Sequence, residues 1–187
     1  MESDVVQLGI ADRVLAWFVI YKKPVIWTVL IVLVAGLGTG FILWRQDARE
    51  ENANLALSKL TTTGLVAAEQ TIAPEALLKI TAEYPNTEAG GRALLMAAAA
   101  LYEQGKYPEA KAQFERFLRQ YRESPFADQA SLGVAASLDA QGKTTEAVAA
   151  YNDVVQHHSM ENVAPQARIA LARLYTSQGK FQQARDL

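Results

Sequence analysis

The tripeptide Gln-Gly-Lys occurs three times in this chain, and its regular spacing constrains the fold more than any other feature of the sequence. The copies begin at Gln104, Gln141 and Gln178, so that successive copies lie 37 residues apart. An alanine follows each copy at a constant interval, at Ala110, Ala147 and Ala184. A fixed period of this length is typical of stacked structural repeats, in which each unit contacts mainly its neighbours.

The pattern around each glycine predicts a helical hairpin. Apolar residues recur with a period of about 3.6 on both sides of the turn, which indicates two amphipathic helices. Gly105, Gly142 and Gly179 suit the left-handed backbone position that ends a helix, and Pro108 suits the first turn of the next helix. Small residues are expected where the two helices cross, at Ala98, Ala135 and Ala172 in the first helices and Ala110, Ala147 and Ala184 in the second.

The region before the regular repeats, residues 45–91, shows a weaker form of the same pattern. At the same step of 37, Leu77 aligns with Phe114, Ile80 with Phe117 and Tyr84 with Tyr121. We therefore predict a connecting helix and a degenerate first repeat over 45–91, followed by repeats over 92–187, of which the last is incomplete. An array that stops within a repeat leaves an apolar face uncovered. We expect either that the chain is a fragment or that a partner covers that end.

A membrane anchor is predicted over residues 25–44, a run of 20 residues without a charge. A helix of that length spans roughly 30 Å, about one hydrocarbon core. A cleaved signal peptide would have a shorter apolar region of about 7–15 residues and a small-residue cleavage site, whereas this run leads directly into Arg45. Gly36 and Gly40 form a small-residue face suited to packing between transmembrane helices, although glycine is common in such helices in any case.

Residues 1–24 form the expected cytoplasmic or interfacial segment. Its apolar residues have roughly helical spacing, which fits either an interfacial helix or a continuation of the transmembrane helix, and both remain open. Lys22 and Lys23 lie next to the apolar run, and positive charge favours the cytoplasmic side. The expected orientation is therefore a cytoplasmic N-terminus with the repeats on the opposite side of the membrane.

Composition argues against several classes of function. The chain has 187 residues, a net charge of −2 and no cysteine, which excludes disulfides and thiolate chemistry. Acidic and basic residues are interspersed, so no basic stripe suggests nucleic acid. His157 and His158 are adjacent on a predicted helix and do not face each other, and neither a metal site nor a catalytic triad is indicated. We expect no enzymatic activity and no cofactor.

The segment "AALYEQGKYPEAKAQF", which contains the first Gln-Gly-Lys, resembles the tetratricopeptide repeat. The resemblance extends over residues 92–187. The resemblance implies an all-α fold, with the single transmembrane helix followed by a superhelix of helical hairpins. It also implies a partner-binding groove along the first helices, on which Tyr102 and Arg173 would occupy an open face. The residues at the groove positions are Arg92, Leu95, Ala99, Tyr102, Glu103, Gln129, Leu132, Ala136, Asp139, Ala140, Gln166, Ile169, Arg173, Thr176 and Ser177.

With its anchor, the whole chain resembles the bacterial YfgM-like proteins, ancillary subunits of the Sec translocon with one transmembrane helix and a periplasmic repeat domain. That resemblance implies translocon subunits, periplasmic chaperones or exported chains as partners, and the lipid bilayer as the site of attachment. Two alternatives are a structural subunit of another envelope complex, packed through Gly36 and Gly40, and an anchored import receptor of a eukaryotic organelle.

Overall fold

The computed structural model describes residues 10–66, 72–157 and 163–187, which form eight helices with no strand among them. The helices are α1 (Ile10–Val66), α2 (Pro74–Glu83), α3 (Glu88–Glu103), α4 (Tyr107–Gln120), α5 (Ala127–Ala140), α6 (Thr144–His157), α7 (Val163–Ser177) and α8 (Phe181–Arg185). The prediction of an all-α fold is confirmed. The chain divides into two compact units, Met1–Asp47 and Ala48–Leu187.

The first unit consists of the N-terminal part of α1, which is helical from Ile10 onward. Among the described residues, one segment, Leu30–Thr62, is long and apolar enough to cross a membrane. Its most apolar stretch is not buried against any other part of the protein that the structure describes. Leu37, for example, is 73% exposed, whereas the core helix of a soluble protein would be buried. A signal sequence near the N-terminus can meet the same criterion of length and hydropathy, so this segment by itself is weak evidence for a membrane span.

The second unit repeats with the period seen in the sequence. The helices that come first in each hairpin end at Val66, Glu103, Ala140 and Ser177, and those that come second end at Glu83, Gln120 and His157. Successive ends in both series are 37 residues apart. The C-terminal part of α1 therefore occupies the place of a first helix, and α2 is its second helix.

The Gln-Gly-Lys turns share one hydrogen-bonding scheme. The φ angles are +77° at Gly105, +74° at Gly142 and +74° at Gly179. At the first turn the Lys106 N–H donates to the Leu101 carbonyl at 2.9 Å, and the Gly105 N–H donates to the Tyr102 carbonyl at 2.9 Å. The same pair of bonds closes the other two turns. This is the Schellman motif, which satisfies the last carbonyls of a helix and requires a residue that tolerates positive φ.

The alanines at the helix crossings differ in burial between the repeats. Ala98, Ala110, Ala135 and Ala147 have no exposed surface. Ala172 and Ala184, in the third Gln-Gly-Lys repeat, are only partly buried. The difference follows from the length of α8, which has five residues and therefore covers less of α7 than α4 covers of α3.

The part of α1 that belongs to the second unit packs against α2 and α3 through an apolar contact and a cap. Ala53 and Leu57 of α1 are buried in one cluster with Leu77 and with three alanines of α3. The Glu50 carboxylate accepts hydrogen bonds from the N–H groups of Glu88, at 2.7 Å, and Ala89, at 2.9 Å. A carboxylate at this position satisfies free N–H groups and complements the positive end of the helix dipole. Glu50 thus provides a cap for the N-terminus of α3.

Candidate functional site

A cavity of about 220 Å³ lies between α3 and α5, on the face formed by the first helices of two successive hairpins. Its lining residues are Leu95, Ala99, Tyr102, Glu103, Phe114, Gln129, Leu132, Gly133 and Ala136. Seven of these nine were assigned to the groove from the sequence. These seven residues meet because α3 and α5 stack side by side as the first helices of successive repeats. Leu95 and Leu132, for example, occupy equivalent positions one repeat apart.

The remaining two lining residues, Phe114 and Gly133, were missed. A Cβ atom built on Gly133 would lie 2.6 Å from ring atoms of Phe114, so the absence of a side chain at this position gives the ring its space. Phe114 is itself 6% exposed, and the sequence indicated it only as the residue aligned with Leu77. The available signal was a glycine within a helix, where it costs about 1 kcal/mol relative to alanine and therefore often indicates close packing.

Tyr102 forms part of the cavity rim. Its side chain is half-buried, whereas the resemblance placed it on an open face. Its ring packs edge-on against Tyr107, with 5.2 Å between centroids. Burial raises the pKa of the Tyr102 phenol, and the nearby Tyr107 and Asp139 raise it further. The hydroxyl therefore stays protonated at neutral pH and is a potential hydrogen-bond donor at the rim.

Beside this rim, an ion pair connects the second and third Gln-Gly-Lys repeats. The Arg173 guanidinium on α7 binds the Asp139 carboxylate on α5. The Arg173 side chain is 67% exposed and that of Asp139 is 16% exposed. Tyr151, which is 4% exposed, interacts electrostatically with both members of the pair. Its burial, with Asp139 and Tyr102, raises the pKa of the phenol to about 12.

The other predicted groove residues do not line the cavity. Arg92 is half-buried, and its guanidinium donates to the Asn54 side chain of α1, so it participates in the junction with α1. On α7, Gln166, Ile169 and Thr176 are exposed, and Ile169 is 71% exposed. The structure therefore gathers seven of the ten predicted residues of α3 and α5 around one cavity, and the predicted residues of α7 lie outside its lining.

No group of three or more His, Cys, Asp or Glu side chains that could hold a metal ion occurs in residues 10–66, 72–157 and 163–187. His157 ends α6, and His158 lies outside the described residues. The chemistry that the cavity offers is noncovalent: an apolar floor, a phenol, an amide and one carboxylate.

An array of helical hairpins with an apolar cavity on the face of its first helices belongs to the class of repeat scaffolds that bind other proteins. Two protein-family models match the chain and support this class. A family described as "Tetratricopeptide repeat-like domain" matches residues 15–120, and "Tetratricopeptide repeat" matches residues 95–160 and 137–187. The chain belongs to the tetratricopeptide repeat-like family, whose members are generally noncatalytic interaction modules. No curated protein matches the chain.

Proposed function

We propose that this protein is a membrane-anchored interaction module that acts as an ancillary subunit of the Sec translocon and the periplasmic chaperone network. In this proposal the N-terminus is cytoplasmic, one helix crosses the bacterial inner membrane, and the repeats lie in the periplasm. The face of the first helices binds exported chains or partner proteins.

The cavity between α3 and α5 is the observation that carries the proposal. Its volume, about 220 Å³, is below the roughly 300–1,000 Å³ of sites that enclose small-molecule ligands. Such a space suits one large side chain of a bound polypeptide. The exposed Ile169 on the neighbouring helix extends the apolar surface beyond the cavity, which favours a partner longer than a single residue.

The exposed apolar part of α1 supports the anchor. Trp27 and Trp44 are each 67% exposed, and an apolar helix without protein partners is stable where lipid surrounds it. Lys22 and Lys23 support the orientation. Protease should digest the repeats when added to spheroplasts and leave them intact in inverted inner-membrane vesicles. The opposite pattern of digestion would reverse the proposed topology.

Site-specific photo-crosslinking tests the binding face. Gln129 is exposed and lines the cavity, whereas Ala112 is exposed on α4 and does not. With a photoreactive amino acid at position 129, we expect crosslinks to translocon subunits, periplasmic chaperones or a chain arrested during export. Position 112 is the matched control. Equal crosslinking from both positions, or crosslinks to an unrelated stoichiometric complex, would contradict the proposal.

A second candidate is a structural subunit of another envelope complex, held through the transmembrane face of Gly36 and Gly40. A Cβ atom at either glycine would have no described neighbour within 4 Å, so this face is open to a partner helix. Small residues allow such helices to approach closely. If this candidate is correct, replacing both glycines with leucine should release a stoichiometric partner in mild detergent, while substitutions at the cavity should retain it.

A further inference from the structure

The cavity is almost uncharged, and its one carboxylate has no partner within the part of the chain that the structure describes. Among its nine lining residues, Glu103 alone carries a formal charge at neutral pH. Glu103 is exposed, and it forms neither a hydrogen bond nor an ion pair with any described residue. Lys106, three residues further on, is also exposed and does not pair with it. The carboxylate is therefore available to a bound molecule.

The position of Glu103 makes the rim more negative. It is the last residue of α3, and Asp139 lies in the last turn of α5. Neither helix has a basic residue in its last turn. The carbonyl end of a helix carries partial negative charge, so a carboxylate there is unfavourable for the helix itself. Arg173 offsets the charge of Asp139, whereas the described chain supplies no cation to Glu103.

We propose that this cavity selects a polypeptide segment in which a large apolar side chain stands next to a lysine or arginine. The apolar side chain enters between Leu95 and Leu132, above the ring of Phe114, and the neighbouring cation pairs with Glu103. Glu103 lines the same cavity that the apolar side chain enters. The cation that pairs with Glu103 therefore belongs to the residue next to that side chain in the partner. This specificity rests on the proposed function, since it assumes that the cavity binds polypeptide.

Three ten-residue peptides with Gly-Ser flanks test the specificity, carrying Leu-Lys, Leu-Glu or Ser-Lys at the centre. Their dissociation constants are measured by ligand-observed NMR against the full chain in phosphatidylcholine nanodiscs, with empty nanodiscs as the blank. We expect the Leu-Lys peptide to bind most tightly. Glu103→Gln should weaken its binding by about 1.4- to fivefold, the range of exposed ion pairs, and Glu103→Lys should reverse the order of Leu-Lys and Leu-Glu.

Matched variants separate charge from cavity filling. Glu123→Gln makes the same charge change at an exposed residue that does not line the cavity, and it should leave the Leu-Lys affinity unchanged. Ala99 is exposed and lines the cavity, so Ala99→Phe should plug it and abolish binding of Leu-Lys. Ala112→Phe is the equivalent change on α4 and should have no effect. Circular dichroism melts verify that each variant is folded.

The outcomes distinguish the two proposals. If no peptide binds, or if Ala99→Phe binds as wild type does, the cavity is not a polypeptide site and both proposals fail. If Leu-Lys and Leu-Glu bind equally and Ala99→Phe blocks both, the binding function stands and the charge specificity is overturned. If Glu103→Lys reverses the order of the Leu-Lys and Leu-Glu affinities and Ala99→Phe abolishes binding, both proposals are supported.

Discussion

Gly133→Ala should destabilise the repeat domain, although alanine is the better helix former. The new methyl carbon would lie 2.6, 2.6 and 2.7 Å from three atoms of the Phe114 ring, whereas carbon atoms in contact are normally about 3.5–4.0 Å apart. The ring must therefore move by about 1 Å to restore that separation. It is 6% exposed, and Ala110, Ala130 and Phe117 pack in the same cluster, so the described space into which the ring can shift is the cavity that it lines.

Two opposing effects set the magnitude. Replacing glycine with alanine inside a helix stabilises by about 1 kcal/mol, and overpacking a filled core costs typically about 1–3 kcal/mol. Because the clash involves three ring atoms of an almost buried side chain, we expect a net loss of about 1–2 kcal/mol. For a domain of this size, such a loss lowers the melting temperature by roughly 2–4 °C per kcal/mol.

Urea unfolding of the full chain in nonionic detergent, monitored by circular dichroism at 222 nm, measures the change. A double-mutant cycle with Phe114→Leu isolates the cause, since the smaller side chain leaves room for the methyl group. Gly133→Ala should be destabilising in the wild type and neutral or stabilising in the Phe114→Leu background. An equal cost in both backgrounds, or a gain of about 1 kcal/mol in the wild type, would show that the ring is not the obstacle.

Three further changes test the turns, the junction with α1 and the buried phenol. Gly142→Ala should cost about 1–2 kcal/mol because of its positive φ, and Gly142→Asn should cost less, as chemical denaturation can establish; equal costs would refute the backbone explanation. Glu50→Ala should lower stability by about 1–2 kcal/mol by removing one of two side-chain caps of α3, the other being the Thr87 hydroxyl, while Glu51→Ala, at the exposed neighbouring residue, should have little effect in the same assay. The pKa of Tyr151 is about 12 against an ordinary value of 10.0, so the neutral phenol stabilises the fold fully below pH 10, and this contribution is lost as the pH rises from 10 to 12. Melting temperatures across that window should fall less steeply in Tyr151→Phe than in the wild type, and parallel slopes would contradict the assignment.

The period, the hairpins and the turn positions could all be read from the sequence, because each depends on residues close together in the chain. A Schellman turn requires a glycine and bonds that reach back only a few residues, as from Lys106 to Leu101. Helical periodicity is likewise a local property. The residues that meet at the cavity were also largely predicted, since stacking at a constant step places equivalent residues of α3 and α5 side by side.

The tertiary structure alone decided the contacts that join distant parts of the chain. Glu50 caps α3 across 38 residues, Arg92 binds Asn54 across 38, and Arg173 binds Asp139 across 34. These contacts depend on the rotation and axial position of each helix against its neighbour, which an apolar period does not specify. For the same reason the sequence could not show that Arg92 is occupied at the junction with α1, or that Glu103 has no partner among the described residues.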